Sequence, residues 1–240
     1  RLFSPLPLDL RRKDKRMEIP LLPLVIHLVT KLENGGAQRH ALHVVAGLPK
    51  DRFEVVLAYG PGGYLDPEAA SISDLELWPI AGLRRSIGPL GDALAVRELV
   101  RRIKAVRGDR PVLLQTHSSK AGVVGRIAGR LAGATTVHTV HGFGFHAGAS
   151  AIARKVLHGV ERSMAPLTDW ALCVSQADLD YGSDHGLFSG QRASVIRAGI
   201  DIAAHRRDAS AGQRLRSSLG FADDVPLVGT VACLKPQKAP

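Results

Sequence analysis

Short apolar runs that do not alternate with polar residues recur along the chain, separated by stretches whose apolar positions repeat every three to four residues. The first kind reads as strands buried on both faces, the second as helices with one buried side. Leu24–Thr30 is the first predicted strand, and Ala37–Leu48 the helix after it, with Ala41, Val45 and Leu48 on one side. Strands follow at Phe53–Tyr59, closed by Gly60-Pro61-Gly62-Gly63, and at Leu75–Ile80. Asp92 is the expected cap of a helix to Val106, with a stripe of Val96, Leu99, Val100, Ile103 and Val106. Further strands are predicted at Val112–Thr116, Thr135–Val140, Trp170–Val174, Ala193–Arg197 and Pro226–Val231. Helices are predicted at Lys120–Leu131, Ser150–Met164 and Ser210–Leu219. Such alternation predicts an α/β fold: a mostly parallel sheet with helices on both faces.

Composition narrows the class. Of 240 residues, 45% are hydrophobic and 22% charged, the mark of a globular chain with a sizeable core. Two cysteines exclude a disulfide framework and fit a reducing compartment. The apolar run Ile19–Val29 is too short for a bilayer and contains Pro20, Pro23 and His27. Residues 1–20 hold three prolines and the cations Arg11, Arg12, Lys13, Lys15 and Arg16, and read as a basic flexible tail, with Met17 a candidate start. No small-residue cleavage site follows, which argues against a signal peptide.

The net charge of +10 points to an anionic partner. Residues 84–110 carry eight cations against three acids. Arg97, Arg101 and Lys104 share one helical side opposite the apolar stripe, and are expected to meet an anionic membrane surface at about 1 kcal/mol each. Aromatic residues are 5% and do not interleave with the cations, so no nucleic acid is expected.

Ligands of open parallel sheets bind beyond the carboxyl ends of the strands, so the loops there carry the chemistry. Asn34-Gly35-Gly36-Ala37-Gln38 combines two glycines with a helix start, which suits a phosphate or an ordinary tight turn. His117-Ser118-Ser119-Lys120 gathers a ring, two hydroxyls and a cation at another helix start, where either serine also suits a cap. The helix behind it has a stripe of Ala121, Gly125, Ala128, Gly129 and Ala132, small enough to lie close to a sheet. In His138-Thr139-Val140-His141-Gly142, His138 falls inside a strand and His141 at its end, where a ring can face a cleft as general base or sugar contact. Three histidines among residues 138–146 lack an acidic or cysteine neighbour, so no metal is expected. Val174-Ser175-Gln176-Ala177-Asp178 reads as a strand end with a helix cap.

Taken in order, these segments resemble the N-terminal half of a retaining glycosyltransferase of the GT-B, family 4 group. The resemblance is carried by Gly35-Gly36-Ala37-Gln38, the stretch His117–Gly133, His138–His146, Val174–Asp178 and Val195–Asp201. Residues Val228–Pro240 resemble the opening of that group's nucleotide-sugar domain. Similar proteins in style are bacterial enzymes of surface-polysaccharide synthesis.

The resemblance implies two Rossmann-like domains facing a cleft, the N-terminal one for the acceptor. On it, residues 21–222 would be the acceptor domain and 223–240 the start of a truncated second domain. The donor would be a nucleotide diphosphate-sugar and the acceptor a lipid-linked glycan, with no metal or other cofactor. Gly35, Gly36, Lys235 and Lys238 would meet the donor; His117, Ser118 and Lys120 the acceptor; and His141 the transferring sugar as catalytic residue. Cys233 stands where the group has an arginine. The 240-residue chain alone is then expected to be inactive, and the enzyme cytoplasmic, peripheral on the inner membrane face. The alternatives are a sugar-nucleotide epimerase of the same fold and a non-catalytic basic module for nucleic acid or anionic membrane.

Overall fold

The computed structural model describes residues 21–143, 150–188, 192–203, 205–222 and 224–231. Its centre is a sheet of seven parallel strands: β1 (Leu24–Val29), β2 (Glu54–Tyr59), β3 (Glu76–Pro79), β4 (Val112–His117), β5 (Thr135–Val140), β6 (Trp170–Cys173) and β7 (Ala193–Val195). They lie in the order β3-β2-β1-β4-β5-β6-β7. The helices are α1 (Gly36–Gly47), α2 (Asp66–Ala70), α3 (Pro89–Val106), α4 (Ser119–Ala132), α5 (Ala151–Met164), α6 (Gln176–Asp184) and α7 (Ala209–Ser218).

Two apolar layers account for the unalternating strands. Leu24, Ile26 and Leu28 of β1 pack with Leu114 of β4 against Leu99 and Ile103 of α3 and Ala121 and Ala128 of α4. On the opposite face Val29, Val55 and Leu57 pack against Ala41, Leu42 and Val45 of α1. The small stripe of α4 sits hard on the sheet. A Cβ on Gly125 would collide with Thr116 Cγ2, and one on Gly129 with Thr136 Cγ2. Arg126 in the same helix is fully buried: Nε donates to the Gly122 carbonyl at 2.8 Å and Nη2 to Glu161 Oε2 of α5 at 2.8 Å.

Two expectations change. Helix α3 begins at Pro89, with Gly88 as its cap, and Asp92 lies in the first turn. A proline at the first helical position has its φ already set and no N–H to satisfy, so it starts the helix four residues early, with the cap at Gly88 rather than Asp92. The predicted strand Pro226–Val231 does not form, and Val228 and Val231 are fully exposed. Apolar residues make a strand only when a neighbour completes the hydrogen-bond ladder, and the described sheet ends at β7. Residues 1–20 and 232–240 lie outside the described residues. Among those described, no helix is long and apolar enough to cross a membrane.

Candidate functional site

The strand order reverses between β1 and β4, which opens a crevice where the two chain directions part. Register brings Val29 beside His117, so Thr30 and Ser118 leave the sheet together. Their hydroxyls lie 2.7 Å apart, and Thr30 Oγ1 also accepts the Ala121 N–H at 3.1 Å. Ser118 therefore occupies the cap position of α4, but the capping oxygen comes from Thr30, 91 residues before Ala121. Ser118 holds φ +73° and ψ 154°, a conformation left almost entirely to glycine.

A cleft of about 360 Å³ opens here, lined by Thr30, Lys31, Asn34, Gly35, Arg85, Ser118 and Lys120 among others. Gly35 caps α1 in an extended conformation with no side-chain acceptor, so the first N–H groups of the helix point back toward it. A Cβ on Gly36 would meet nothing within 4 Å, so the fold itself does not require a glycine there. The Lys120 ammonium is tied down, paired with Asp92 Oδ1 at 2.6 Å and bonded to the Ser86 carbonyl. Arg85, from the loop after β3, was not singled out by the sequence pattern. Two adjacent arginines on a surface segment give no sign of which faces a cleft.

Below this cleft the histidines form a chain. His27 Nδ1 lies 3.0 Å from His117 Nε2, and His117 Nδ1 lies 3.1 Å from His141 Nε2. His40 of α1 closes edge-on over His141, with ring centroids 5.2 Å apart. His27 and His117 are wholly buried, while His141 is partly exposed. Burial, and then the charge of His40, lowers His141 to about 4; burial, then His40 and Lys50, lowers His27 to about 3. His117 is pushed well below the ordinary imidazole value by burial and then by its histidine neighbours. His138 faces the other way, under α4, with Nδ1 2.8 Å from Thr116 Oγ1. Among the described residues no three His, Cys, Asp or Glu side chains are placed to hold a metal.

Gly35, Ser118 and Lys120 thus share one cleft, and His117 and His141 share the hydrogen-bonded chain beside it. Arg97, Arg101 and Lys104 lie apart, exposed along α3. Lys235, Lys238 and Cys233 lie outside the described residues. A family model described as Glycosyltransferase Family 4 matches residues 34–204, most of the chain.

The chain belongs to Glycosyltransferase Family 4.

Within and around that family, the chain is 28% identical over 233 residues to the Escherichia coli UDP-Gal:alpha-D-GlcNAc-diphosphoundecaprenol alpha-1,3-galactosyltransferase. The match covers 95% of this chain and 56% of that protein, so the chain spans about half the length of this curated relative. Among solved structures, HepE of Anabaena in complex with UDP and glucose superposes with a TM-score of 0.64 at 20% identity, over 82% of this chain and 50% of that one. The UDP-N-acetylglucosamine 2-epimerase of Rickettsia bellii superposes with a TM-score of 0.54 at 9% identity, over 84% and 52%. The Rossmann-like fold is therefore shared by transferases and an epimerase, and the family match is what separates them.

Proposed function

We propose that this chain is the acceptor-binding unit of a retaining glycosyltransferase. It would move a sugar from a nucleotide diphosphate-sugar to a lipid-linked glycan, without a metal. The observation that carries the reading is the convergence of Gly35, Ser118 and Lys120 on one cleft at the strand-order reversal, in a chain of this family. The Escherichia coli relative, which acts on a diphosphate-linked lipid, supports the acceptor class. Arg85 and the free N–H groups at the start of α1 suit an anionic acceptor, while Lys31 and Lys120 are held by Glu33 and Asp92. His141, beside it, is the group proposed to contact the transferring sugar.

Membrane contact is part of this proposal. Arg97, Arg101 and Lys104 are exposed on α3, and Ile87, Leu90 and Leu94 are exposed around the start of the same helix. Cations beside apolar side chains suit the surface of an anionic bilayer without insertion across it. Binding to anionic vesicles should weaken with salt, and equal binding to neutral vesicles would count against this face.

The acceptor reading is tested by titrating the 15N-labelled chain with a short-chain lipid diphosphate-linked sugar. Amide shifts should concentrate at residues 30–38 and 117–121. Shifts absent there, with the fold intact, would refute it. Binding is the readout because transfer needs both sides of the cleft, and the 240-residue chain alone is proposed not to turn over.

A further inference from the structure

We propose that His27 and His117 form a buried wire that fixes the proton of His141 on Nδ1, so that His141 meets its ligand as a hydrogen-bond donor rather than as a base. The inference rests on the reading that His141 faces the substrate.

A neutral imidazole carries one N–H donor and one bare acceptor nitrogen. All three rings are neutral at pH 7, because burial holds each well below its ordinary value. Three neutral rings joined end to end by two hydrogen bonds have only two arrangements. In one, His27 Nδ1–H donates to His117 Nε2, and His117 Nδ1–H donates to His141 Nε2. The loose ends are then a bare nitrogen on His27 and an N–H on His141. In the other arrangement every proton is on the opposite nitrogen, and the loose ends are an N–H on His27 Nε2 and a bare His141 Nδ1.

The core end decides between them. His27 is 0% exposed, and its Nε2 is buried with no hydrogen-bond partner among the described residues. An orphaned donor in a protein interior is rarer than an under-used acceptor. The bare nitrogen therefore goes to the core and the N–H to His141, the partly exposed end of the chain of rings. His141 Nδ1 has no hydrogen bond among the described residues, which leaves its N–H free for a ligand oxygen, such as a sugar hydroxyl or a phosphate oxygen. No carboxylate among the described residues bonds to any of the three rings, so nothing turns His141 into the Nε2–H form that a carboxylate behind the ring would select. His117 and His27 are positioning residues: neither reaches the ligand, and both act through His141.

The test needs no substrate, so its failure is separable from failure of the transferase reading, which the acceptor titration decides. Long-range 15N–1H correlation spectra of the 15N-labelled chain at neutral pH report which nitrogen of each ring carries the proton. Loss of one ring's signals in His141→Gln assigns them. The expected result is Nδ1–H in His27, His117 and His141. Nε2–H in His141 would overturn the proposal without any variant of the wire. His117→Leu should release His141 to the Nε2–H preference of a solvated ring. His117→Asn, whose amide can donate from nearly the place of Nδ1, should keep it as Nδ1–H. An unchanged His141 tautomer in a folded His117→Leu chain would also refute control by the wire.

Discussion

Ser118 stands at φ +73°, ψ 154°, where a Cβ is costly, and comparison of two substitutions isolates that cost. Backbone strain of this kind is worth about 1–3 kcal/mol. Ser118→Ala and Ser118→Gly both lose the 2.7 Å hydroxyl contact with Thr30, about 1 kcal/mol, and that loss cancels between them. Only glycine also releases the strain. Against this, glycine gives the unfolded chain more freedom, at about 0.4–1 kcal/mol relative to alanine. The glycine variant should therefore be the more stable, by up to about 2.5 kcal/mol, the reverse of the usual order of these residues. Urea unfolding with equal slopes for the two variants measures the difference. An alanine variant more stable than the glycine one would mean that Ser118 is not strained and that the Thr30 latch holds nothing under tension.

Three further outcomes are expected. Glu161→Ala should cost about 3–5 kcal/mol in urea unfolding, because it leaves the buried Arg126 guanidinium without its carboxylate, and a loss under 1 kcal/mol would refute that pairing. Gly36→Ala should leave stability unchanged or up to about 1 kcal/mol higher, since its Cβ meets nothing, while any loss of acceptor or donor affinity reports close approach of a ligand. Stability should fall on acidification. His27 protonates near 6.5 when unfolded and only at about 3 when folded, so between those values the unfolded chain binds the extra proton. Its contribution is full above pH 6.5 and falls by about 1.4 kcal/mol per pH unit below it. Urea midpoints from neutral pH to pH 5 should show a shallower slope in His27→Phe, and equal slopes would refute a neutral buried ring.

The strands were legible because apolar runs bounded by glycine and proline have few other readings, and α4 because a small-residue stripe serves close packing. His138 and His141 were separable because three residues along a strand reverse the face. What was not legible depends on register. His27 sits in an apolar run and reads as a core residue, and nothing near it in sequence says that His117 will lie one hydrogen bond away. The burial of Arg126 within the stripe has no local signal, because its carboxylate is 35 residues further on. Capping of α4 by Thr30 was hidden for the same reason. The expectation for Pro226–Val231 failed because composition proposes a strand, while a partner makes one.

The pairing of β1 with β4 also sets a clock. Strand β2 can join one edge of β1 early, but the other edge waits for a partner 88 residues downstream, the separation of Thr30 and Ser118. At cellular synthesis rates that interval lasts roughly 4–18 s. Throughout it, the middle of the future sheet is an unprotected edge rich in apolar residues, the kind that recruits other chains. The crevice that gathers Thr30, Ser118 and the histidines does not exist until the interval ends. Nascent chains released before β4 emerges should therefore aggregate rather than bind, and chaperone demand should peak between the emergence of β2 and that of β4.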